Sequence, residues 1–91
     1  MSTKTYILYE SEDFVMKILS DGNKHGLYAY TSTKHSMSRR IRYHELFRTK
    51  MGIEIYLSLI FNNKLFIRKL GRIVGKASAD EIKNKALTIK L

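Results

Sequence analysis

Alternating hydrophobic and polar positions predict strands in three parts of the chain. Residues 3–9 alternate and are rich in strand-forming side chains, and residues 27–31 form a second such run. The clearest alternation covers residues 53–61, where every second residue is apolar. The asparagines after it predict a turn, because Asn tolerates a left-handed backbone, and residues 65–70 then form the returning strand of a hairpin. One long helix over residues 53–70 is the alternative, which the β-branched alternation disfavours.

Serine caps predict two helices in the first half of the chain. Ser11 is followed by two acids and by apolar residues at helical spacing, which predicts a helix over residues 12–20. A hairpin strand is the competing interpretation of that segment. Ser36 or Ser38 predicts the start of a second helix, which runs to residue 50 and stops at Gly52.

The C-terminal part adds a short strand or crossover and a last helix. Glycines bound the segment 71–75, and Ser78 with Glu81 forms a capping box for a helix that follows. The elements together predict an α+β fold, a small antiparallel sheet with two or three helices in the approximate order β-α-β-α-β-β-(β)-α. We expect one domain over residues 1–91, because domains of this length rarely split.

Composition excludes several classes of protein. No cysteine is present, so disulfide frameworks, Cys-based zinc sites and thiol catalysis are excluded. The three histidines lack the spacing of paired metal ligands, and no cofactor is predicted. The N-terminus has no signal-peptide pattern, and the longest apolar run, residues 55–61, is far short of a membrane span. We therefore expect a cytoplasmic protein.

The net charge is concentrated in the middle of the chain. The sequence holds 17 Lys and Arg against 8 Asp and Glu, a formal charge of +9 with histidine counted neutral. Residues 1–33 sum to −1 and residues 77–91 to +1, so the segment 34–76 carries the whole excess, with all six arginines inside it. Clustered arginine indicates a polyanionic partner, because the guanidinium fork matches phosphate and stacks on bases.

Two segments of this basic stretch are the candidate binding sites. On the predicted helix 39–50, Arg40, His44 and Arg48 fall four residues apart and form one stripe with aromatic neighbours. The second site is a strand-and-loop track over residues 64–76. The complete set of predicted nucleic-acid-binding residues is Arg39, Arg40, Arg42, Tyr43, His44, Arg48, Lys50, Lys64, Arg68, Lys69, Arg72 and Lys76.

The predicted hairpin adds an aromatic face whose role the sequence leaves open. Tyr56, Phe66 and Arg68 share the face opposite the predicted core, and such a face on an open sheet suits base stacking. Cover by helices or by a second subunit is the other interpretation, since Ile60 is also there.

The favoured hypothesis is a non-enzymatic, RNA-preferring nucleic-acid-binding protein that forms a homodimer. The composition is similar to that of accessory proteins of AT-rich bacteriophages, which implies an alternative: an inhibitor or adaptor that binds a host protein, such as a toxin ribonuclease, alone or with its RNA. A third hypothesis comes from length, basicity and the segment Ile55 to Lys76, which resembles the terminal meander of toxin ribonucleases of the RelE/ParE superfamily. That resemblance implies metal-independent RNA cleavage.

Overall fold

The computed structural model places four strands before three helices. It describes residues 3–33 and 36–91, with the backbone alone for residues 32, 33 and 36–42. The elements are β1 (Lys4–Glu10), β2 (Phe14–Ser20), β3 (His25–Thr33), β4 (Ser36–Phe47), α1 (Lys50–Phe61), α2 (Lys64–Val74) and α3 (Lys76–Thr88). The α+β class is confirmed, but the predicted element order is wrong, since strands and helices are segregated along the chain.

The chain divides into two compact units, residues 1–53 and residues 54–91. The first unit holds the sheet and the second holds most of the helical residues. The single domain that the sequence predicts stays a prediction.

The sheet of the first unit is an antiparallel meander in the order β1-β2-β3-β4. Ser11 closes the β1–β2 hairpin, because its hydroxyl accepts the N–H of Phe14 at 3.1 Å and also lies 3.1 Å from the Phe14 carbonyl oxygen. The helix predicted over residues 12–20 is therefore wrong, and the competing strand interpretation is confirmed as β2. Ser11 stabilises a turn in place of a helix end, a function that short polar side chains share with capping.

The prediction for residues 36–50 is also corrected, because β4 replaces the expected helix. β4 pairs with β3 from His25↔Phe47 to Thr33↔Ser36, with irregularities after Ala29 and Ser32. Backbone hydrogen bonds to β3 thus determine the conformation of β4, and the spacing of apolar residues along β4 itself does not. The expected stop at Gly52 lies inside α1, whose first turn is capped by Thr49 as its hydroxyl accepts the Gly52 N–H at 3.0 Å.

The two faces of the sheet differ sharply in exposure. Alternate residues of a strand point to opposite faces. On one face the central side chains are 0–3 % exposed, namely Met16, Ile18, Leu27 and Ala29. Ser20 and His25 lie on the same face, where the serine hydroxyl and the imidazole Nδ1 are hydrogen-bonded to each other. The opposite face carries Ile7 and Leu46, which are 48 % and 53 % exposed. Val15 is buried on this second face, but Lys17, Tyr28 and Tyr30 are half-buried, so most of the face is open to solvent.

Asp21 closes the β2–β3 hairpin. One of its carboxylate oxygens accepts the backbone N–H of Asn23 at 2.9 Å and that of Lys24 at 2.7 Å. These two hydrogen bonds to the charged form hold the pKa of the Asp21 carboxyl below its ordinary value of 3.8.

Asp21→Ala is expected to lower the unfolding temperature at neutral pH. Since the folded-state pKa lies below the unfolded one, the stabilisation is fully present above pH 3.8 and is lost as the pH falls through the folded-state value. The gap between wild type and variant should therefore narrow in acid, as measured by thermal unfolding across pH. Asp13→Ala, which removes the same charge from the β1–β2 turn, is the control; equal losses in both variants would contradict the argument.

The second unit is helical where the sequence predicts a hairpin. Leu57 and Phe61, four residues apart on α1, are 1 % and 0 % exposed, whereas Ile55 and Leu59, also four residues apart, are 55 % and 67 % exposed. Burial within residues 53–61 thus repeats about every four residues, as in a helix, and the predicted strand is wrong.

The turn predicted at the asparagines is confirmed as the break between α1 and α2. Asn63 caps α2, because its side chain accepts the N–H groups of Leu65 and Phe66. Residues 65–70, predicted as the returning strand, belong to α2.

Gly75 joins α2 to α3. Its φ of 93° and ψ of 153° lie in a region that is nearly exclusive to glycine. Its N–H donates to the Gly71 carbonyl at 2.8 Å and its own carbonyl accepts from Ala79 at 2.9 Å, so one residue ends a helix and starts the next. α3 therefore begins at Lys76, and the capping box predicted at Ser78 is wrong.

Gly75→Ala is expected to destabilise the protein by about 1–3 kcal/mol, because a Cβ forces strain at this positive φ. Urea unfolding measures the loss. Gly71→Ala is the matched control: a Cβ there meets Lys76 Cα at 3.9 Å and Ala79 Cβ at 4.0 Å, which are ordinary contacts. It should be neutral or stabilising, since alanine favours a helix interior by about 0.5–1 kcal/mol. Equal effects of both substitutions would contradict the assigned backbone conformation.

No helix in the described part of the chain combines the length and apolar character that crossing a bilayer demands.

Candidate functional site

A groove between α2 and α3 collects the basic side chains of the second unit. The two helices pack against each other and leave a cavity of about 550 Å³ along α2. Lys64, Arg68 and Arg72 follow one another at four-residue intervals on α2, so they line one side of it at a rise of about 6 Å each. Lys76 and Lys83 line it from α3, seven residues or two turns apart. We name these five residues the basic rim.

The floor of the groove is apolar. Phe61, Ile67 and Ala79 line it together with Gly71. Phe61 is fully buried, and its ring meets that of Phe66 edge-on, with centroids 5.2 Å apart. Gly71 and Ala79 are small, so the helices approach closely below the rim. The lining of the groove therefore combines an apolar part with the basic rim.

The charge around the groove is strongly unbalanced. Five cations face one carboxylate, Asp80, among the residues that line it. Four of the cations are exposed and Lys83 is half-buried. Like charges four residues apart on a helix repel each other, and an anion in the groove relieves that repulsion.

Both helix N-termini at the groove favour an anion. α2 begins at Lys64 and α3 at Lys76, and neither has an acidic residue in its first turn. A helix N-terminus carries partial positive charge, which natural sequences commonly offset with Asp or Glu. Here lysine adds to it. α3 in addition has no side-chain cap at Gly75.

The structure brings together only part of the predicted site. Lys64, Arg68, Arg72 and Lys76 of the predicted track share the groove, although they lie on helices and not on a strand and loop. Lys69 is exposed on α2 and does not line it. Sequence reasoning missed Lys83; its seven-residue spacing from Lys76 is the signal that identifies it once α3 starts at residue 76.

The predicted stripe on residues 39–50 does not form. Because β4 is a strand, residues four apart lie about 13 Å from each other, in place of about 6 Å on a helix. His44 is exposed and Tyr43 half-buried on β4, while Arg48 and Lys50 are exposed after it. The side chains of Arg39, Arg40 and Arg42 lie outside the described residues.

The aromatic hairpin face is also corrected, because no hairpin exists there. Tyr56 lies half-buried on α1, where burial raises the pKa of its phenol above 10.0. Phe66 lies half-buried on α2 against Phe61. The meander over Ile55 to Lys76, on which the resemblance to toxin ribonucleases depends, is absent for the same reason.

No metal site is present among residues 3–33 and 36–91, because no three His, Asp or Glu side chains there are close enough together to bind one ion.

Comparison of the chain with protein-family models, with curated proteins and with solved structures found no match.

Proposed function

We propose that this chain is a non-enzymatic nucleic-acid-binding protein that prefers RNA and holds phosphates in the α2–α3 groove. The observation that carries the proposal is the basic rim, five cations against one carboxylate around a cavity of about 550 Å³. Phosphate neutralisation by Lys and Arg provides most of the affinity in such complexes.

The types of cation in the rim support phosphate as the ligand. Arg68 and Arg72 are one helical turn apart, and each guanidinium can contact a phosphate through two parallel hydrogen bonds. Lys64 and Lys76 add point charges, and at the start of α3 the helix N–H groups, which no side chain caps, can also donate to a phosphate. A chain of phosphates satisfies all of these groups at once, whereas a single small anion satisfies few of them.

The dimensions of the groove support a single strand. The cavity above the packed helices α2 and α3 has a volume of about 550 Å³, which accommodates a short stretch of one sugar-phosphate chain. Single-stranded segments are the usual targets of sequence-reading RNA-binding proteins. This favours RNA loops or unpaired RNA over duplex DNA.

Filter-binding titrations with single-stranded RNA, single-stranded DNA and duplex DNA of equal length, at physiological salt, test the proposal. We expect the tightest binding for RNA and the weakest for the duplex. Absence of binding to all three overturns the proposal. Incubation of labelled RNA with excess protein tests the non-enzymatic part, and cleavage of the RNA contradicts it.

An acidic surface on a host protein is the alternative ligand for the same basic rim. Affinity capture from lysate, with and without nuclease treatment, separates the two. Capture that nuclease abolishes supports nucleic acid; capture that survives nuclease supports an inhibitor or adaptor.

The homodimer remains a further proposal. Ile55, Leu59 and Leu65 in the second unit are 55 %, 67 % and 65 % exposed, and contact with a second subunit would bury them. A second copy of the chain is the proposed occupant, and sedimentation equilibrium tests it.

A further inference from the structure

Three aromatic rings form a near-parallel array on the open face of the sheet. Tyr28 lies directly opposite His44 across the β3–β4 pair, with ring centroids 6.0 Å apart and planes within 11°. Tyr30, two residues along β3 and therefore on the same face, has its centroid 6.3 Å from that of Tyr28 with planes within 22°. Centroid distances of this size and small angles are typical of offset stacking.

A cation extends this array on the neighbouring strand. Lys17 pairs with Tyr28 across β2 and β3, and its ammonium nitrogen lies 5.2 Å from the centroid of the Tyr30 ring. A cation over a ring face is attracted to its quadrupole, and this orders both side chains.

The backbone beneath the array leaves room for the Tyr28 ring. A Cβ on Gly26 would lie 2.7 Å from Tyr28 Cε2 and 2.8 Å from Leu46 Cδ2, so the Tyr28 ring or the Leu46 side chain would have to shift. The absence of a side chain at Gly26 thus leaves space for the Tyr28 ring and the Leu46 side chain. The array stays accessible, since the two tyrosines and Lys17 are half-buried and His44 is exposed.

Unpaired nucleobases are the ligand that this surface fits. Every base has a π face that stacks on Tyr or His, and sheet-based RNA-binding proteins present aromatic side chains on an open face for this purpose. Lys17 supplies positive charge that attracts the phosphate beside a stacked base.

We propose that the face formed by Lys17, Tyr28, Tyr30 and His44 is a base-stacking site for single-stranded RNA, separate from the phosphate-binding groove. The proposal rests on the proposed function. It adds a site in the first unit that contacts the bases of the RNA, whereas the groove contacts its phosphates.

The test measures fluorescence anisotropy with two labelled probes of equal charge at low salt. One is an oligouridine of about 12 nucleotides, and the other is an abasic ribose-phosphate chain of the same length. Wild type should bind oligouridine about tenfold or more tighter than the abasic chain. The double variant Tyr28→Ala with Tyr30→Ala should lose that preference. Tyr28→Phe with Tyr30→Phe keeps both rings and should retain it.

The outcomes separate this proposal from the function on which it rests. If wild type binds both probes equally, base stacking is overturned and phosphate binding by the groove stands. If the alanine variant is folded by circular dichroism and keeps the preference, the assignment to this face is overturned. If wild type binds neither probe, both proposals are overturned. The wild-type comparison needs no substitution, so misfolding of a variant does not remove the test.

Discussion

Replacing Arg68 and Arg72 together with alanine is expected to weaken RNA binding by about a hundredfold or more at physiological salt. Hydrogen bonds to charged groups contribute about 1.5–3 kcal/mol each, and both arginines line the groove one turn apart. Both are exposed on α2, and alanine is the residue that most favours a helix. Folding should therefore be unaffected, and the loss measured by filter binding reports the RNA contact.

The matched control removes two cations from the same helices outside the groove. Lys69 on α2 and Lys85 on α3 are exposed and do not line the cavity. Their double alanine variant should bind RNA within about threefold of wild type, because salt screens charges that do not touch the ligand. If both double variants weaken binding equally, net charge and not the groove determines affinity, and the proposed site is wrong.

Leu57→Ala is expected to destabilise the protein by about 2–5 kcal/mol, whereas Leu59→Ala should change stability by less than about 0.5 kcal/mol at a protein concentration where the chain is monomeric. The two leucines are 1 % and 67 % exposed on α1, so only the first leaves a cavity. For a chain this short, such a loss is a large part of the total stability. Urea unfolding followed by circular dichroism measures both variants.

This pair of variants also distinguishes the helix from the strand that the sequence predicts. In a strand, residues 57 and 59 would share a buried face and both substitutions would be costly. On α1 they lie on different sides of the helix. Equal destabilisation by the two substitutions would contradict the helical structure of this segment.

The failure at residues 53–61 has a simple physical cause. A pattern with an apolar residue at every second position also has an apolar residue at every fourth position, which is close to the period of a helix. Leu57 and Phe61 are four residues apart in this way, and they are the residues that are buried. The other set, Ile55 and Leu59, remains exposed and completes the apparent alternation. Sequence pattern alone does not distinguish a strand from a helix with two apolar sides.

The strand β4 could not be predicted for a different reason. Its conformation depends on backbone hydrogen bonds to β3, and those bonds belong to the pairing of two segments. Local spacing of Arg40, His44 and Arg48 fits a helix equally well, but a spacing carries no information about a partner strand. The segments at residues 3–9 and 27–31, flanked by turn signals, were predictable and are confirmed as strands: β1 covers the first from Lys4 onward, and β3 contains the second.

The groove was partly predictable because charge and spacing are properties of the sequence itself. The sequence places Lys64, Arg68 and Arg72 at intervals of four residues, so these residues could be predicted as a basic track although their helical conformation could not. Its shape was not, since the cavity depends on the turn at Gly75 and on the packing of α2 against α3. The stacking array on the sheet was missed because Tyr28 and His44 meet only through the β3–β4 register.

The salt dependence of RNA binding tests the central claim most directly. Affinity of wild type and of the Arg68→Ala, Arg72→Ala variant for the oligouridine is measured from about 50 to about 200 mM salt. For a single strand, each phosphate contact contributes about 0.7 to the slope of log affinity against log salt. We predict a steep negative slope for wild type and a slope shallower by about 1.4 for the variant. Equal slopes, or no RNA binding by wild type, would contradict the account.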